Sequence, residues 1–364
     1  MLNIAVLGAS ISGLTMALRL QQSGHHVSVW DERRSFSKNT AGWLFHHSSL
    51  AHLRELGVDL SDRTHRITSG EQILNHPQNG DAHFESISTH GIRQQVLHDR
   101  LLLKLGADTL HLGAQFDKFQ PEQGYIVESA RFRDGREVCA DLFIGADGVH
   151  SKVRSVQVPG PELRQLCITE IRGTTTVAEL PEELMSSFKL YEDNAMGINV
   201  YLIPTGENEI SWGLQIDLRR NPLAKFYSNG ELNHLLAALS NFPELVRRSI
   251  PASSLANSQY RESTDQELPD RFHRGNVVLI GDAAHPLTSF LSQSIDSSLE
   301  DTQVLGDMLD ELNQGYFANI DTCMTDFNRQ RRPILRARQR IMRNQESALK
   351  GNLSLNKMNP VVAF

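Results

Sequence analysis

Length, composition and charge are those of an ordinary folded protein and exclude several kinds of partner. The 364 residues suffice for a large core and two lobes, and their 40% hydrophobic and 22% charged content is typical of globular proteins. A net charge of -7 argues against nucleic acid, because phosphate binding needs a concentrated basic face. Three dispersed cysteines exclude a disulfide framework and a CxxC metal site.

The chain also carries no predicted targeting or membrane segment. The first strand begins after two residues, which leaves no room for a signal peptide, and no apolar run approaches membrane-spanning length. We therefore expect a cytoplasmic protein that has neither a membrane nor a nucleic acid as partner and holds no metal.

The first thirty-three residues predict a strand, a glycine-containing turn, a helix and a second strand. Apolar Ile4–Leu7 lead into Gly8–Gly13, a helical pattern follows, and Val27–Trp30 then ends in Asp31. This pattern is typical of a dinucleotide site, where turn N–H groups and the helix N-terminus face a pyrophosphate and an acid binds the ribose. Ser10 replaces the middle glycine and is the smallest substitute for it.

Beyond this unit, periodicity and turn residues predict further elements in chain order. They are a helix at 48–57, exposed strands and loops at 63–90, a helix at 93–106, a hairpin at 116–139 and a buried strand at 141–144. Arg93 lies in the first turn of its predicted helix, where a cation opposes the helix dipole, so its placement needs another explanation.

A β-rich lobe is predicted next, inserted into the α/β part of the chain. Its strands are expected at 167–177, 187–191, 197–204 and 209–217, with a helical patch around 235–239. The buried-strand pattern resumes at 275–280, and helices follow from near Asp296 and over about 322–349. Pro333 should kink or divide the last helix, whose many arginines we interpret as a solvated face.

Three buried strands that are far apart in sequence end in small residues. These ends are Gly8–Gly13, Gly145–Gly148 and Gly281-Asp282. Because ligands of a doubly wound sheet bind beyond the carboxyl ends of its strands, the three ends can meet on one extended dinucleotide.

Two of these ends carry longer motifs that resemble a known family. GADGVHSKVR at 145–154 and RGNVVLIGDAAHP at 274–286 resemble elements of the FAD-dependent aromatic hydroxylases of the p-hydroxybenzoate hydroxylase type. The resemblance covers nearly the whole chain in the same order, including Arg93 in an RxxxLxxxL helix and the basic last helix.

The resemblance implies an α/β fold, with a Rossmann-like FAD-binding domain, an inserted β-sheet substrate domain and a long C-terminal helix. We place the FAD-binding domain at 1–68, 93–162 and 268–320, the substrate domain at 69–92 and 163–267, and the C-terminal helical segment at 321–364.

The resemblance also implies FAD contacts, residue by residue. The turn would face the pyrophosphate, Asp31 or its neighbour Glu32 would hold the adenosine ribose, and arginines would position the diphosphate and ribityl chain. Asp282 would bind the ribityl and diphosphate portion, and Asp147 would serve both FAD and the reduced nicotinamide. The implied cofactor residues are Gly8, Ser10, Ile11, Ser12, Gly13, Asp31, Glu32, Arg33, Arg93, Asp147, Gly281, Asp282, Ser294 and Ile295.

The chain departs from the family after the GDAAHP element. The family pattern PxxxPxxGQGxNxAxED has a proline, two glycines and an asparagine where this chain has Ser289, Ser292, Ser294 and Asp296. Backbone N–H groups of Ser294 and Ile295 would still face the pyrimidine edge of the flavin. Two alternatives stay open for Asp296, which would either place a like charge beside the reduced flavin or cap its own helix.

The implied activity is that of an NAD(P)H monooxygenase. NADH or NADPH would reduce the flavin, and dioxygen would then hydroxylate a small aromatic or heteroaromatic substrate through a flavin hydroperoxide. The candidate pocket residues are His46, His47, Arg172, Tyr201, Trp212 and Pro286.

Three alternatives stay open beside this activity. A flavin-dependent halogenase would carry WxWxIP, of which the chain has only Ser211-Trp212-Gly213, and a geranylgeranyl-type reductase would read GDAAG. The third is a flavin-binding sensor without hydroxylase activity. The sequence does not name the substrate, the nicotinamide cofactor or the oligomeric state.

Overall fold

Three β-sheets and a set of helices make up the fold of this computed structural model, which describes residues 1–36, 41–74, 81–222, 224, 233–286 and 293–349. The helices are α1 (Ile11–Gln22), α2 (His47–Glu55), α3 (Gln94–Lys104), α4 (Lys152–Gln157), α5 (Asn233–Leu239), α6 (Glu244–Ser249), α7 (Ala252–Ala256), α8 (Gln293–Asn313) and α9 (Ile320–Leu349). Among the described residues, no helix has the length and apolarity needed to cross a bilayer.

The first sheet contains the predicted dinucleotide unit. Its strands are β1 (Asn3–Leu7), β2 (His26–Asp31), β6 (Leu110–Leu112), β10 (Leu142–Gly145), β16 (His273–Arg274) and β17 (Val277–Leu279). The order is β16-β17-β10-β1-β2-β6, and the pairs from β17 to β6 are parallel. Ile4–Leu7 and Leu142–Ile144 are almost fully buried, as expected for parallel strands covered on both faces.

The second sheet forms the β-rich lobe. Its strands are β3 (Gly42–His46), β4 (His65–Leu74), β5 (Asp81–Arg93), β11 (Arg164–Thr176), β12 (Ser187–Asp193), β13 (Ile198–Gly206), β14 (Glu209–Asp217) and β15 (Gln259–Asp265). They lie in the order β15-β11-β14-β13-β12-β4-β5-β3. The second sheet thus includes Gly42–His46, and its strand β4 already begins at His65. The predicted domain boundaries themselves stay predictions.

A third sheet contains the predicted hairpin. Its strands are β7 (Phe116–Gln120), β8 (Ser129–Phe132) and β9 (Glu137–Cys139). It packs against the first sheet through Phe132, whose ring stacks on Trp30 with centroids 4.6 Å apart. Since β7, β8 and β9 pair in antiparallel fashion, the prediction of a hairpin between 116 and 139 is confirmed.

The expected start of α8 is wrong by one turn, and of the two effects expected of Pro333 the division of α9 does not occur. α8 begins at Gln293, one turn before Asp296, and α9 runs through Pro333 without dividing. Because Arg331 and Leu335 on either side of the proline are buried against the protein, packing holds the helix together despite the missing N–H.

The interpretation of the α9 arginines as a solvated face is also wrong in part. Arg331 is 2% exposed, and Arg332, Arg338 and Arg343 form ion pairs with the body of the protein. Helical spacing alone could not reveal this, because the partners lie between 30 and 78 positions away along the chain.

Candidate cofactor and substrate site

The carboxyl ends of β1, β10 and β17 meet at one cavity of about 500 Å³, which the second sheet closes on the far side. Its volume is in the range of ligand-binding clefts. The lining residues are Ser10, Ile11, Ser12, Ala41, Trp43, Gln94, Ala146, Gly148, Arg172, Gln259, Tyr260, Arg261, Asp282, Ser294, Ile295 and Ser298.

The turn after β1 is packed too closely for side chains at its two glycines. Gly8 has a φ of +113°, and a Cβ there would lie 2.3 Å from the carbonyl oxygen of Ala146. A Cβ on Gly13 would lie 2.0 Å from the carbonyl oxygen of Gly8. Ser10 caps α1 by accepting a hydrogen bond of 3.2 Å from the Gly13 N–H. The predicted turn thus brings the start of α1 to the cavity.

The carboxylate of Asp31 is already engaged within the protein. It accepts hydrogen bonds from the Ala9 N–H at 2.7 Å and from Arg33, whose Nε lies 2.7 Å from Oδ1. Burial opposes ionisation, yet Arg33 and the Ala9 N–H hold the pKa of Asp31 below its usual value. Arg33 also lies over the Phe36 ring, at 4.7 Å from its centroid. Glu32, in contrast, is exposed.

Asp147 caps a helix instead of lining the cavity. Its Oδ1 accepts a hydrogen bond from the Ser151 hydroxyl, and its Oδ2 accepts one of 2.7 Å from the Lys152 N–H at the start of α4. Burial raises the pKa of the Asp147 carboxyl. The flanking Ala146 and Gly148 are the members of this loop that line the cavity.

Arg154, the last residue of the GADGVHSKVR string, joins two of the strand ends. Its guanidinium donates to the carbonyl oxygens of Ala283 at 2.8 Å and Val149 at 2.6 Å. No role was predicted for Arg154 from the sequence, although it is the last residue of the GADGVHSKVR motif.

The turn after β17 presents Asp282 to the cavity. Gly281 has a φ of +56°, and a Cβ there would lie 2.3 Å from the Ser12 hydroxyl of the first turn. The Asp282 side chain is one-third exposed, and its Oδ2 lies 3.8 Å from the Arg261 guanidinium. The two glycine turns therefore touch each other and place one carboxylate at the cavity.

A buried network behind this turn fixes its position. Asp301 accepts hydrogen bonds from His285 Nε2 at 2.6 Å, from Arg331 Nε at 2.7 Å and from the Gly281 N–H at 3.0 Å. Burial opposes ionisation, but His285 and Arg331 lower the pKa of Asp301 to about 2. The network thus links α9 to the Gly281 turn through α8, and no local sequence pattern predicts it.

Arg93, the last residue of β5 and the N-cap of α3, lies beside the cavity and pairs with a residue of β14. Its Nη1 is 2.9 Å from Oε2 of Glu209, and Gln94, the next residue, lines the cavity. The pairing with Glu209 explains a cation at the start of α3, because a carboxylate compensates the charge there.

The start of α8 forms another part of the wall. Ser294 and Ile295 line the cavity, and their place beside a flavin stays a prediction. Two of the four departures from the family pattern, Ser289 and Ser292, lie outside the described residues.

Asp296 adopts neither of its two expected roles. It is buried, does not line the cavity, and lies inside the first turn of α8, where it cannot cap that helix. It accepts hydrogen bonds from the Ser49 hydroxyl and the His46 backbone N–H at the start of α2. Burial raises the pKa of Asp296 to about 6, although the Ser49 hydrogen bond opposes the rise. Asp296 therefore stabilises the N-terminus of the neighbouring helix.

Of the six pocket candidates, Arg172 lines the cavity. It is 8% exposed and donates to Glu170, whose other oxygen accepts a hydrogen bond of 3.0 Å from the Tyr201 hydroxyl. Tyr201 is thus buried, contacts Glu170 and does not line the cavity itself.

The expectation that Trp212 lines the pocket is wrong, because Trp212 belongs to the core on the opposite face of the second sheet. It is 1% exposed, and its Nε1 donates to the hydroxyls of Thr175 and Ser254 at 3.1 and 2.9 Å. Alternating strand residues point to opposite faces, and the sequence did not reveal which face meets the cavity.

The remaining three candidates do not line the described cavity. His46 caps α2 by accepting from the Ser48 N–H, His47 is exposed, and Pro286 is buried at the end of a described segment.

This arrangement fits an FAD molecule. A turn with glycines at both ends and a helix N-terminus suit the pyrophosphate, and Asp282 supplies an acceptor for hydroxyl groups. No cluster of His, Cys, Asp and Glu suited to a metal ion occurs in the part of the chain that the structure describes.

Comparisons with known proteins agree with this assignment. The model of the FAD binding domain family matches residues 1–338. Aurachin C monooxygenase/isomerase from Stigmatella aurantiaca is 27% identical over 84% of this chain and 79% of its own length. 3-Amino-4-hydroxybenzoate 2-monooxygenase from Streptomyces cremeus is 28% identical over 85% of this chain and 79% of its own length.

Solved structures share the fold. PqsL from P. aeruginosa in complex with 2-aminobenzoylacetate has a TM-score of 0.81 at 19% identity and covers 96% of this chain and 97% of its own. HpxO from Klebsiella pneumoniae, complexed with FAD and uric acid, has a TM-score of 0.79 at 21% identity, with 97% and 90% covered. The predicted fold and family are thereby confirmed, and the chain belongs to the family of flavoproteins defined by this FAD binding domain.

Proposed function

We propose that this protein is an FAD-dependent monooxygenase that uses NADH or NADPH and dioxygen to hydroxylate a small aromatic or heteroaromatic compound. The observation that carries the proposal is the single cavity that joins the dinucleotide turn to the wall of the β-rich lobe. Such a cavity can hold a cofactor at one end and a ring compound at the other. The curated relatives, which are named as monooxygenases, support the same class of enzyme.

FAD, when bound, supplies the redox and oxygen chemistry, and the chain supplies binding, orientation and exclusion of water. The N–H groups at the start of α1 would face the pyrophosphate, and Asp282 would accept hydrogen bonds from the ribityl chain. Backbone N–H groups of Ser294 and Ile295 would face the pyrimidine edge, where a helix N-terminus favours negative charge.

For the adenosine ribose we assign Glu32 in preference to Asp31. Glu32 is exposed, whereas Asp31 holds the Ala9 N–H and Arg33 in a buried cluster. Asp31 and Arg33 would then act by fixing the turn, and not by touching the ribose.

The names of relatives guide the choice of substrate class. They include enzymes named for 6-hydroxynicotinate, 3-amino-4-hydroxybenzoate and salicylate, and a solved neighbour binds uric acid. All of these are small rings that bear oxygen or nitrogen, which agrees with the size of the cavity.

The test is oxidation of NADH and NADPH by the FAD-loaded protein in air, with a panel of phenols and hydroxylated heteroaromatics. We expect at least one compound to accelerate oxidation and to gain one oxygen atom from ¹⁸O₂, detected by mass spectrometry. Protein that binds FAD but neither oxidises NAD(P)H faster nor labels any ring compound would contradict a hydroxylase and favour a flavin-binding sensor.

A further inference from the structure

We infer that the wall formed by the β-rich lobe selects ring substrates that are uncharged and carry an oxygen acceptor, and rejects those that carry a carboxylate. This inference rests on the proposed function, because it concerns the substrate end of the same cavity. It follows from how the guanidinium of Arg172 is compensated.

Arg172 is the buried cation of this wall. It is 8% exposed, lies on β11 opposite Gly213 of β14, and reaches the cavity. Because Gly213 has no side chain, the Tyr201 ring lies over it, and a Cβ on Gly213 would be 2.1 Å from that ring. Tyr201 thereby covers the sheet beside Arg172, whose guanidinium reaches the cavity.

Glu170 neutralises Arg172 from behind. One of its carboxylate oxygens accepts from Arg172 and the other from the Tyr201 hydroxyl, and Glu170 itself is 4% exposed. Burial works against the charged form of Arg172, but Glu170 raises the pKa of the guanidinium above its usual value. The pair is therefore a tightly held ion pair with no net charge.

The other charged groups of the described wall also balance. Arg261 lies opposite Glu170 on the neighbouring strand β15, lines the cavity, and faces Asp282 at 3.8 Å. The two guanidiniums and the two carboxylates therefore sum to zero. Glu192 lies on the same face of the sheet as Glu170, and as an acid it contributes no positive charge that could pair with a substrate carboxylate.

A substrate carboxylate placed at Arg172 would be buried without a counter-charge, since Arg172 is already paired with Glu170. Burying an unpaired charge is costly, whereas a ring carbonyl or hydroxyl oxygen can accept from the guanidinium without that cost. Bound FAD, with its anionic pyrophosphate, makes the cavity still less favourable for an anion.

Three matched pairs of compounds test the inference by binding alone. Each pair is a hydroxylated aromatic acid and the same ring without its carboxylate: 6-hydroxynicotinate with 2-hydroxypyridine, 3-amino-4-hydroxybenzoate with 2-aminophenol, and salicylate with phenol. Affinity for the FAD-loaded protein is measured by calorimetry in the absence of NAD(P)H. We expect the neutral member of each pair that binds to bind about tenfold or more tightly, a ratio expected when one buried charge lacks a partner.

Glu170→Gln should shift this ratio toward the acid by about tenfold or more, because it uncovers the charge of Arg172. Glu179→Gln makes the same charge change at an exposed position and should leave the ratio unchanged. Should Glu170→Gln fail to fold, the double variant Glu170→Gln/Arg172→Gln keeps a neutral wall and should keep the wild-type preference.

Tighter binding of the acids by wild-type protein, or an unchanged ratio in folded Glu170→Gln, would overturn the inference, as would failure to bind any of the six compounds. Because the measurement involves no turnover, loss of the hydroxylase proposal would appear separately, as normal ligand binding without ¹⁸O incorporation.

Discussion

Ser10 illustrates how one residue replaces a family glycine without loss of the turn. Its hydroxyl caps α1 through the Gly13 N–H, and its small side chain lines the cavity. We expect Ser10→Ala to lower the free energy of unfolding by about 1 kcal/mol, and Ser10→Gly to lower it by only a few tenths. Urea denaturation of the two variants without FAD measures this difference. Equal losses in both variants would show that the hydroxyl is not a cap.

The carboxyl of Asp296 gives a prediction whose sign depends on pH. Its pKa is about 6 in the folded protein and 3.8 in the reference state, so the folded state binds the proton more tightly. Stability should therefore fall as the pH rises from about 4 through 6, by at most ~3 kcal/mol. Asp296→Asn should remove this pH dependence and be more stable than the wild-type protein at pH 7.

The same variant tests where the charge points. Because Asp296 faces α2 and not the cavity, the reduction potential of the bound FAD should stay unchanged in Asp296→Asn. Thermal melts between pH 4 and 8, with a potential measurement at pH 7, check both statements. A potential raised by tens of millivolts would instead place the charge beside the flavin.

Among the elements, α9 is the one that fixes the cofactor site from behind. Arg331 donates to Asp301, which holds the Gly281 turn, and also pairs with Glu300 at 2.9 Å. Breaking a buried ion pair from one side leaves an uncompensated charge, so Arg331→Met should cost about 3–5 kcal/mol. Arg329→Met, at a position 76% exposed, should cost less than about 1 kcal/mol.

Denaturation curves and FAD titrations of the two variants check this prediction. FAD affinity should fall in Arg331→Met and stay the same in Arg329→Met, because only the former loosens the Gly281 turn. Equal behaviour of the two variants would show that α9 is a solvated helix after all.

At the same scale, the elements that the sequence could predict are those specified by local pattern. β1, α1 and β2 follow from apolar runs and glycines within thirty residues, and β10 and β17 from short buried runs. The sequence did not reveal which residues of a strand point toward the cavity, because both faces of the second sheet are covered by other parts of the protein. Trp212 and Tyr201 therefore looked equivalent in sequence, although they lie in different cores.

The candidate site was predicted where a motif contains it and missed where distant segments meet. Ser10, Asp282 and Ile295, which the motifs mark as cofactor residues, all line the cavity, and their contact with FAD stays a prediction. The Asp301–His285–Arg331 network was missed, because its members become neighbours only when α9 packs on α8. The role of Arg93 likewise depended on a distant acceptor, Glu209, which lies 116 positions away along the chain.

For the whole molecule, the contact between Arg93 and Glu209 fixes the junction where β5 of the second sheet leads into α3. Since both side chains are partly exposed, Arg93→Gln should cost about 1 kcal/mol or less. Glu209→Gln should have a similar effect on stability and on FAD affinity if Arg93 serves only this junction between β5 and α3. A loss of FAD affinity confined to Arg93→Gln would show that Arg93 touches the cofactor.

The central claim is that the cavity at the three strand ends holds FAD. Titration of the purified protein with FAD, followed by visible absorbance after removal of free cofactor, tests it most directly. We predict a yellow protein with one noncovalently bound FAD per chain and weaker binding in Asp282→Ala by roughly 1 kcal/mol or more. A colourless protein that takes up no FAD at tens of micromolar would contradict the claim.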